Sequence, residues 1–290
     1  MDKKRLIIID SSALLYRAFH ALPPLKTKSG QETGGIYGFL LTFLKAVKDL
    51  NPQYVAACFD VKGKTFRHES FEAYKAHRKP APEGLIGQFP LVRDVVKVFH
   101  IPVFEKEGFE ADDLIATICR ICKNEEDLDI FIVSGDLDNL QLVDSRVKLY
   151  TLGRGIKDSV IYDILKVRER FLVDPWQMND LKALVGDPSD NIPGVKGIGK
   201  KNAAELIERY RTIEELYQEL STDTAVAKPK IKEALKANKE NAFLSKKLVE
   251  MKNDVGISFD LEQCRFPSFN KEEVKAKLSE LQFYSLVNKI

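Results

Sequence analysis

The 290-residue chain has no apolar run long enough to cross a bilayer, which excludes a helical membrane span. It also lacks a signal-peptide core. The opening MDKKRLIIID is basic, but its apolar stretch before Asp10 is short and reads as a strand, so the expected location is the cytoplasm. No internal repeat or low-complexity tract is present, which excludes solenoids and fibrous arrays. Cysteine is scarce. Cys119 and Cys122 form a C-x-x-C, but no second Cys or His pair lies nearby, so two small apolar residues one turn apart on a helix explain them better than a zinc or redox site. An excess of one charge is missing too. With 45 basic and 43 acidic residues the net charge is +2, and that total alone does not point to nucleic acid.

The distribution of charge says more than the total. Between residues 62 and 79 stand Lys62, Lys64, Arg67, Lys75, Arg78 and Lys79 against only Glu69 and Glu72, while acidic residues gather elsewhere in short groups. A near-neutral sum can therefore hide a basic surface around an acidic site.

What is present is an alternation of apolar strands and amphipathic helices. Arg5–Asp10, the YVAACF run before Asp60, IPVFE, IFIVS and VKLYTL read as strands. Helices are expected from Ser11 to about His20, over 34–50, 88–99 and 111–123. This pattern predicts an α/β fold: a central, mostly parallel, twisted sheet flanked by helices. After about Pro175 helices dominate, joined by Gly- and Pro-marked turns. The expected division is an α/β catalytic domain over 1–174, with an exposed basic excursion at about 62–84, and a helical region over 175–290. The terminal LSELQFYSLVNKI is apolar enough to pack against the body.

Three expected strands end in aspartate: at Asp10, at Asp60, and at Asp136 with Asp138. In open parallel sheets, sites form beyond the carboxyl ends of strands. Glu110, Asp112 and Asp113 start a helix, and Asp187 and Asp190 lie in a turn. Each group alone has an ordinary explanation as a helix cap, a dipole partner or a turn. Together, up to nine carboxylates at one edge would repel and lose stability unless cations neutralised them. Oxygen ligands without His or Cys suit Mg²⁺ or Mn²⁺. Two such ions roughly 4 Å apart can activate water and stabilise the leaving oxygen of a phosphodiester.

Two further segments point to nucleic acid. In 194–201, Gly194, Val195, Gly197, Ile198, Gly199, Lys200 and Lys201 read as a helix-hairpin-helix turn, within about 184–210, that grips the duplex backbone without reading sequence. In the basic excursion Tyr74 offers a ring for base stacking, and Lys75 and Arg78, three apart, would share one helix face.

The motifs I-D-S-S at Asp10, F-D at Asp60, F-R-H-E at Phe66, Y-K-A-H-R at Tyr74, G-F-E-A-D-D at Gly108, S-G-D-L-D at Ser134 and G-D-P-S-D-N-I-P-G-V-K-G-I-G at Gly186 run in order over nearly the whole chain. In this the chain resembles the 5′ nuclease family, as found in the N-terminal domain of bacterial DNA polymerase I. Even the closing ELQFYSL is similar to the last helix of that domain. No polymerase domain follows, so the resemblance fits a free-standing member or an excised domain.

The resemblance implies a sheet with a helical arch and a helix-hairpin-helix region. It implies hydrolysis of DNA from 5′ ends and at 5′ flaps, in replication and repair, by a monomer working beside a polymerase. It assigns Asp10, Asp60, Glu110, Asp112, Asp113, Asp136 and Asp138 as metal ligands, with Asp187 and Asp190 for a second ion. Lys75 and Arg78 would position the scissile phosphate, with Arg67 and Tyr74 as further DNA contacts. The glycine turn would bind duplex and hold a K⁺ ion. Three positions depart from the family pattern without removing a carboxylate: Ser11, where glycine is common, Asn139, where leucine is more usual, and Phe71 in the variable arch. Two other readings compete: a non-catalytic DNA-binding module of the same fold, and a phosphohydrolase of small phosphate esters.

Overall fold

The computed structural model describes residues 3–153, 158–222 and 228–290. Six strands, β1 (Lys4–Asp10), β2 (Tyr54–Cys58), β3 (Val103–Phe104), β4 (Leu128–Val133), β5 (Val147–Leu152) and β6 (Ser159–Tyr162), form one sheet in the order β3-β2-β1-β4-β5-β6. All neighbours are parallel except β5 and β6. Strand order reverses at β1, which pairs with β2 on one side and β4 on the other. In register, Asp10 lies beside Cys58 and Ile9 beside Val133. The carboxyl ends of β1, β2 and β4 thus meet at the switch point.

Strands buried on both faces need continuous apolar runs, because alternate residues point to opposite sides. Leu6 and Ile8 of β1, with Ala56, Ile130 and Ile132, face one core. Ile7 and Ile9, with Val55, Ala57, Phe131 and Val133, face the other. The second core is closed by α1 (Ser11–Ala21), α2 (Gly34–Leu50) and, beyond the short α3 (Phe66–Ser70) and α4 (Glu83–Ile86), by α5 (Gln88–Val98). In α2, Ile36, Phe39, Leu40 and Phe43 recur at helical spacing, and burial of each stabilises by roughly 1.5–3 kcal/mol.

The first core is covered by α6 (Ala111–Ile121) and by helices of the second half: α7 (Ile164–Phe171), α8 (Met178–Val185), α9 (Lys200–Tyr210), α10 (Ile213–Ser221), α11 (Pro229–Ala237) and α12 (Lys239–Val249). Leu184, Ile198, Leu206 and Ile207 share this core with Ile8 and Ile130, so sheet and helical half are continuous in packing. The chain then returns to the opposite face, where α13 (Lys271–Glu280), α14 (Tyr284–Val287) and the Phe283 that caps it bring Val274, Leu278, Phe283 and Leu286 into the second core. The short antiparallel β6 was not anticipated, because SVIY offers only four residues of pattern. The C-x-x-C lies where expected, at the end of α6 facing the first core. All four cysteines are free, and burial pushes the Cys122 thiol up to about 12.

Two glycines fix the turn that follows α8. Gly186 (φ +74°) and Gly194 (φ +61°) hold their backbones so close that a Cβ on Gly194 would lie 2.4 Å from the amide nitrogen of Gly186. Positive φ and backbone contact both exclude a side chain. Gly199→Ala meets open space and is expected to change stability by less than about 1 kcal/mol. Gly194→Ala is expected to cost roughly 2–4 kcal/mol in urea unfolding. Equal midpoints for the two variants would contradict this account of the turn.

Candidate active site

At the switch point each strand end holds its carboxylate with hydrogen bonds. Asp10 caps α1 by accepting from the Ala13 amide at 3.0 Å, and its other oxygen accepts from Ser134 Oγ at 2.6 Å. Asp60 accepts from the Ala111 amide at 2.8 Å, which ties the end of β2 to the start of α6. Asp136 accepts from the Asp138 amide at 2.9 Å. Asp112, in the first turn of α6, accepts from Asn139 Nδ2 at 2.8 Å. The structure therefore brings together Asp10, Asp60, Asp112, Asp136 and Asp138 from four separate stretches of sequence.

Their electrostatics follow from that convergence. Burial, then Asp60 and Asp136, raises Asp10 to about 7. Burial, then Asp10, Asp136 and Asp138, holds Asp112 well above the carboxylate range. Burial and Asp136 raise Asp138 to about 6 against the pull of Lys182. Such mutual elevation marks a site short of positive charge. The donors on offer are hard oxygens, and the buried Oδ1 of Asn139 beside Asp112 has no partner among the described residues. That donor set fits Mg²⁺ or Mn²⁺. Among the described residues no three of these groups already close into a finished ligand shell.

The remaining acidic residues are neutralised from within. Lys182, on the last turn of α8, bonds Asp138 and also Asp187 at 2.9 Å. Burial opposes its charge, but Asp138 and Asp187 outweigh burial and raise its pKa. Asp187 is held below the usual range, since Lys182 and the Ser189 bonds overcome its burial. Glu110 accepts from Lys75 at 2.8 Å and from the Tyr74 hydroxyl at 3.1 Å. Asp190 pairs with Arg78 and accepts from Tyr74 at 3.3 Å.

Several residues expected at the site have other partners in this structure. Asp113 was expected among the metal ligands, yet it is fully buried away from that group, with both oxygens bonded to Arg67 at 2.8 Å and further bonds from the Glu110 and Lys252 amides. Arg67 was expected on DNA. It is instead 3 % exposed and also donates to the carbonyls of Leu248 and Glu250. A buried charge survives only when paired in this way. Tyr74 was expected to stack on a base. Its ring is buried with Ile192, Leu248 and Val249.

The basic excursion at 62–84 carries only short helices, α3 and the start of α4. Residues 72–77 form successive turns, and Lys75 takes a left-handed φ of +55°. Lys75 and Arg78 therefore do not share a helix face, although they meet at Asp190, with Lys75 also on Glu110. The segment has no apolar periodicity to support a helix of its own, so the acidic groups opposite it decide its path.

In the glycine turn Val195 and Ile198, both expected at the DNA, are buried anchors. Gly194 is buried too, and its amide donates to Ser245 Oγ at 2.9 Å. What remains on the surface is Lys196, Gly197, Gly199, Lys200 and Lys201, at the N-terminus of α9. Amides there, with the helix dipole and three ammonium groups, suit a phosphate backbone.

Lys182, the bond from Ser134 to Asp10 and the pairing of Arg67 with Asp113 were not legible in the sequence. The signal for Lys182 was a single lysine inside the apolar LKALVGD, five residues before Asp187. Ser134 and Arg67 stood within motifs, but nothing in the motifs named Asp10 or Asp113 as their partners.

An acidic switch point on a mostly parallel sheet, packed against a helical half with a glycine turn, is the architecture of the 5′ nucleases. The T5 D15 protein co-crystallised with metal ions superposes with a TM-score of 0.71 at 22% identity, covering 97% of this chain and 99% of that one. The catalytic core of Rad2 in complex with DNA substrate gives 0.60 at 16% identity, covering 100% and 93%. Residues 5–172 match the 5′-3′ exonuclease N-terminal resolvase-like domain, and residues 173–272 match the 5′-3′ exonuclease C-terminal SAM fold. The chain belongs to the 5′-3′ exonuclease family. DNA polymerase I of Caldicellulosiruptor bescii is 43% identical over 288 residues, which are 99% of this chain and 33% of that protein. Thermostable DNA polymerase I of Thermus thermophilus is 38% identical over 287 residues, 99% of this chain and 33% of that protein. The chain thus spans about a third of these relatives.

The raised Asp10 gives a pH prediction for the ion-free protein. Its carboxyl titrates near 7 when folded but near 4 when unfolded. Between those values the folded state keeps a proton that the unfolded chain releases, so stability falls as pH rises and levels off above about 7. The loss is at most on the order of 4 kcal/mol. In EDTA, Asp10→Asn is expected to melt above wild type at pH 8 and to converge with it near pH 4. Parallel curves for the two proteins across that range would refute the assignment.

Proposed function

We propose that this chain is a structure-selective 5′ nuclease that hydrolyses DNA phosphodiester bonds at 5′ ends and 5′ flaps, with two divalent ions, in flap or primer removal. The observation that carries the reading is the convergence of Asp10, Asp60, Asp112, Asp136 and Asp138 beside a glycine turn within one continuous core. Those five side chains, with Glu110, Asp187 and Asp190, would hold Mg²⁺ or Mn²⁺. The ions supply Lewis acidity and a lowered pKa for bound water.

The chain's own groups do the rest. Lys75 and Arg78, now on Glu110 and Asp190, can exchange those carboxylates for a phosphate and offset charge on its oxygens. Lys200 and Lys201 hold the duplex backbone without reading its sequence. The T5 D15 flap endonuclease was crystallised with DNA and metal ions, which supports the same substrate here. A polymerase domain is the natural partner, given the proteins to which the chain is similar.

A non-catalytic DNA-binding module is the second reading. It leaves the acidic cluster without a purpose, because unpaired carboxylates facing DNA only weaken binding. Asp136→Ala is expected to reduce Mg²⁺-dependent cleavage of a 5′-labelled flap by at least about a hundredfold while binding, measured in Ca²⁺, persists or tightens. Parallel loss of binding and cleavage would remove the metal-ligand role, and an uncut flap with wild type would favour the second reading. Lys200→Ala combined with Lys201→Ala is expected to weaken duplex binding on any sequence and lower its salt slope by about one to two. A sequence-selective effect would contradict backbone readout.

A further inference from the structure

Lys182 occupies a position that no nuclease step above uses. Its ammonium bonds Asp138, which follows β4, and Asp187, which follows α8. Its side chain is only 20% exposed, and among the described residues no other cation pairs with either carboxylate. These two acids belong to the set that would hold metal. Any ion that draws oxygen from Asp138 or Asp187 has to break a bond that Lys182 already makes.

We propose that Lys182 is an internal counter-ion that a divalent cation must displace, so that this lysine sets the metal concentration at which the site assembles. The idea rests on the nuclease reading. Three physical points support it. First, without a cation the acidic edge destabilises the fold, and Lys182 supplies one charge where two carboxylates from different halves of the chain meet. Secondly, a lysine is a compact charge on a flexible four-carbon stem, so it can swing away without disturbing the backbone of α8. Thirdly, a divalent ion carries twice the charge and contacts oxygen directly, so it prevails once its concentration is sufficient. Lys75 differs, because its acids, Glu110 and Asp190, are also held by Arg78 and Tyr74.

The test is a Mn²⁺ titration of the full chain, read from the paramagnetic resonance signal of the free ion. Lys182→Met, which keeps the stem and removes the charge, is expected to bind Mn²⁺ roughly tenfold more tightly than wild type. Lys182→Arg, which keeps the charge, is expected to bind no more tightly than wild type. A second measurement needs no variant. Acetylation of Lys182 in wild type, followed by mass spectrometry, should accelerate when Mn²⁺ is added, because the ammonium is released. Unchanged or weaker Mn²⁺ binding by Lys182→Met overturns the proposal, as does acetylation that Mn²⁺ leaves unchanged or slows. Absence of Mn²⁺ binding by wild type would overturn it together with the nuclease reading. Flap cleavage by a wild type in which Lys182 stays covered would leave that reading intact and sink this one alone.

Discussion

Repulsion between carboxylates gathered at the end of a parallel sheet is the constraint that organises this molecule. The fold creates it, since three neighbouring strands finish in or beside aspartate where strand order reverses. The surroundings manage it in two ways. Hydrogen bonds from Ser134, Ala13, Ala111 and Asn139 fix each carboxylate in place without cancelling its charge. Around that bare centre stand Lys75, Arg78 and Lys182, each on a carboxylate, which leaves the shortage of positive charge concentrated on Asp10 and Asp112.

The Arg67–Asp113 pair shows the same forces used for construction. It joins α3, α6 and the end of α12 by side-chain and main-chain bonds. Removal of one partner would leave the other charged and buried, which is strongly destabilising, so the pair keeps the basic excursion rooted beside the acidic edge. Tyr74 adds an apolar root against Leu248 and Val249, while its hydroxyl bridges Glu110 and Asp190. The excursion is thus bound at its base by burial and at its tip by charge.

The fold was largely legible because its signals are local. The apolar runs that become β1, β2, β4 and β5 have no competing explanation, and Asn51 with Pro52 ends α2 where the chain must turn. The switch point was legible because Asp10, Asp60 and Asp136 each follow such a run. Partnership was not legible. Asp112 and Asp113 are adjacent in sequence and chemically alike, yet a helix points them about a hundred degrees apart, one to the acidic edge and one to Arg67. Val195 and Ile198 sit within the glycine motif, and only tertiary packing reveals that they anchor it from inside. Lys75 and Arg78 were expected on one helix face toward a phosphate, yet they reach Glu110 and Asp190 from successive turns, because charge reaches across space whereas helical spacing presumes a helix.

The core shared by Ile8 and Ile130 with Ile198 and Ile207 makes one body of the sheet and the glycine turn. On the nuclease reading, the molecule is then a calliper. The jaw that grips duplex and the edge that cuts are held at one separation by packed side chains, and the cut falls a set number of nucleotides from the gripped backbone whatever the bases between. Its accuracy is a property of the stiffness of the core, and looseness there would appear as a spread of product lengths.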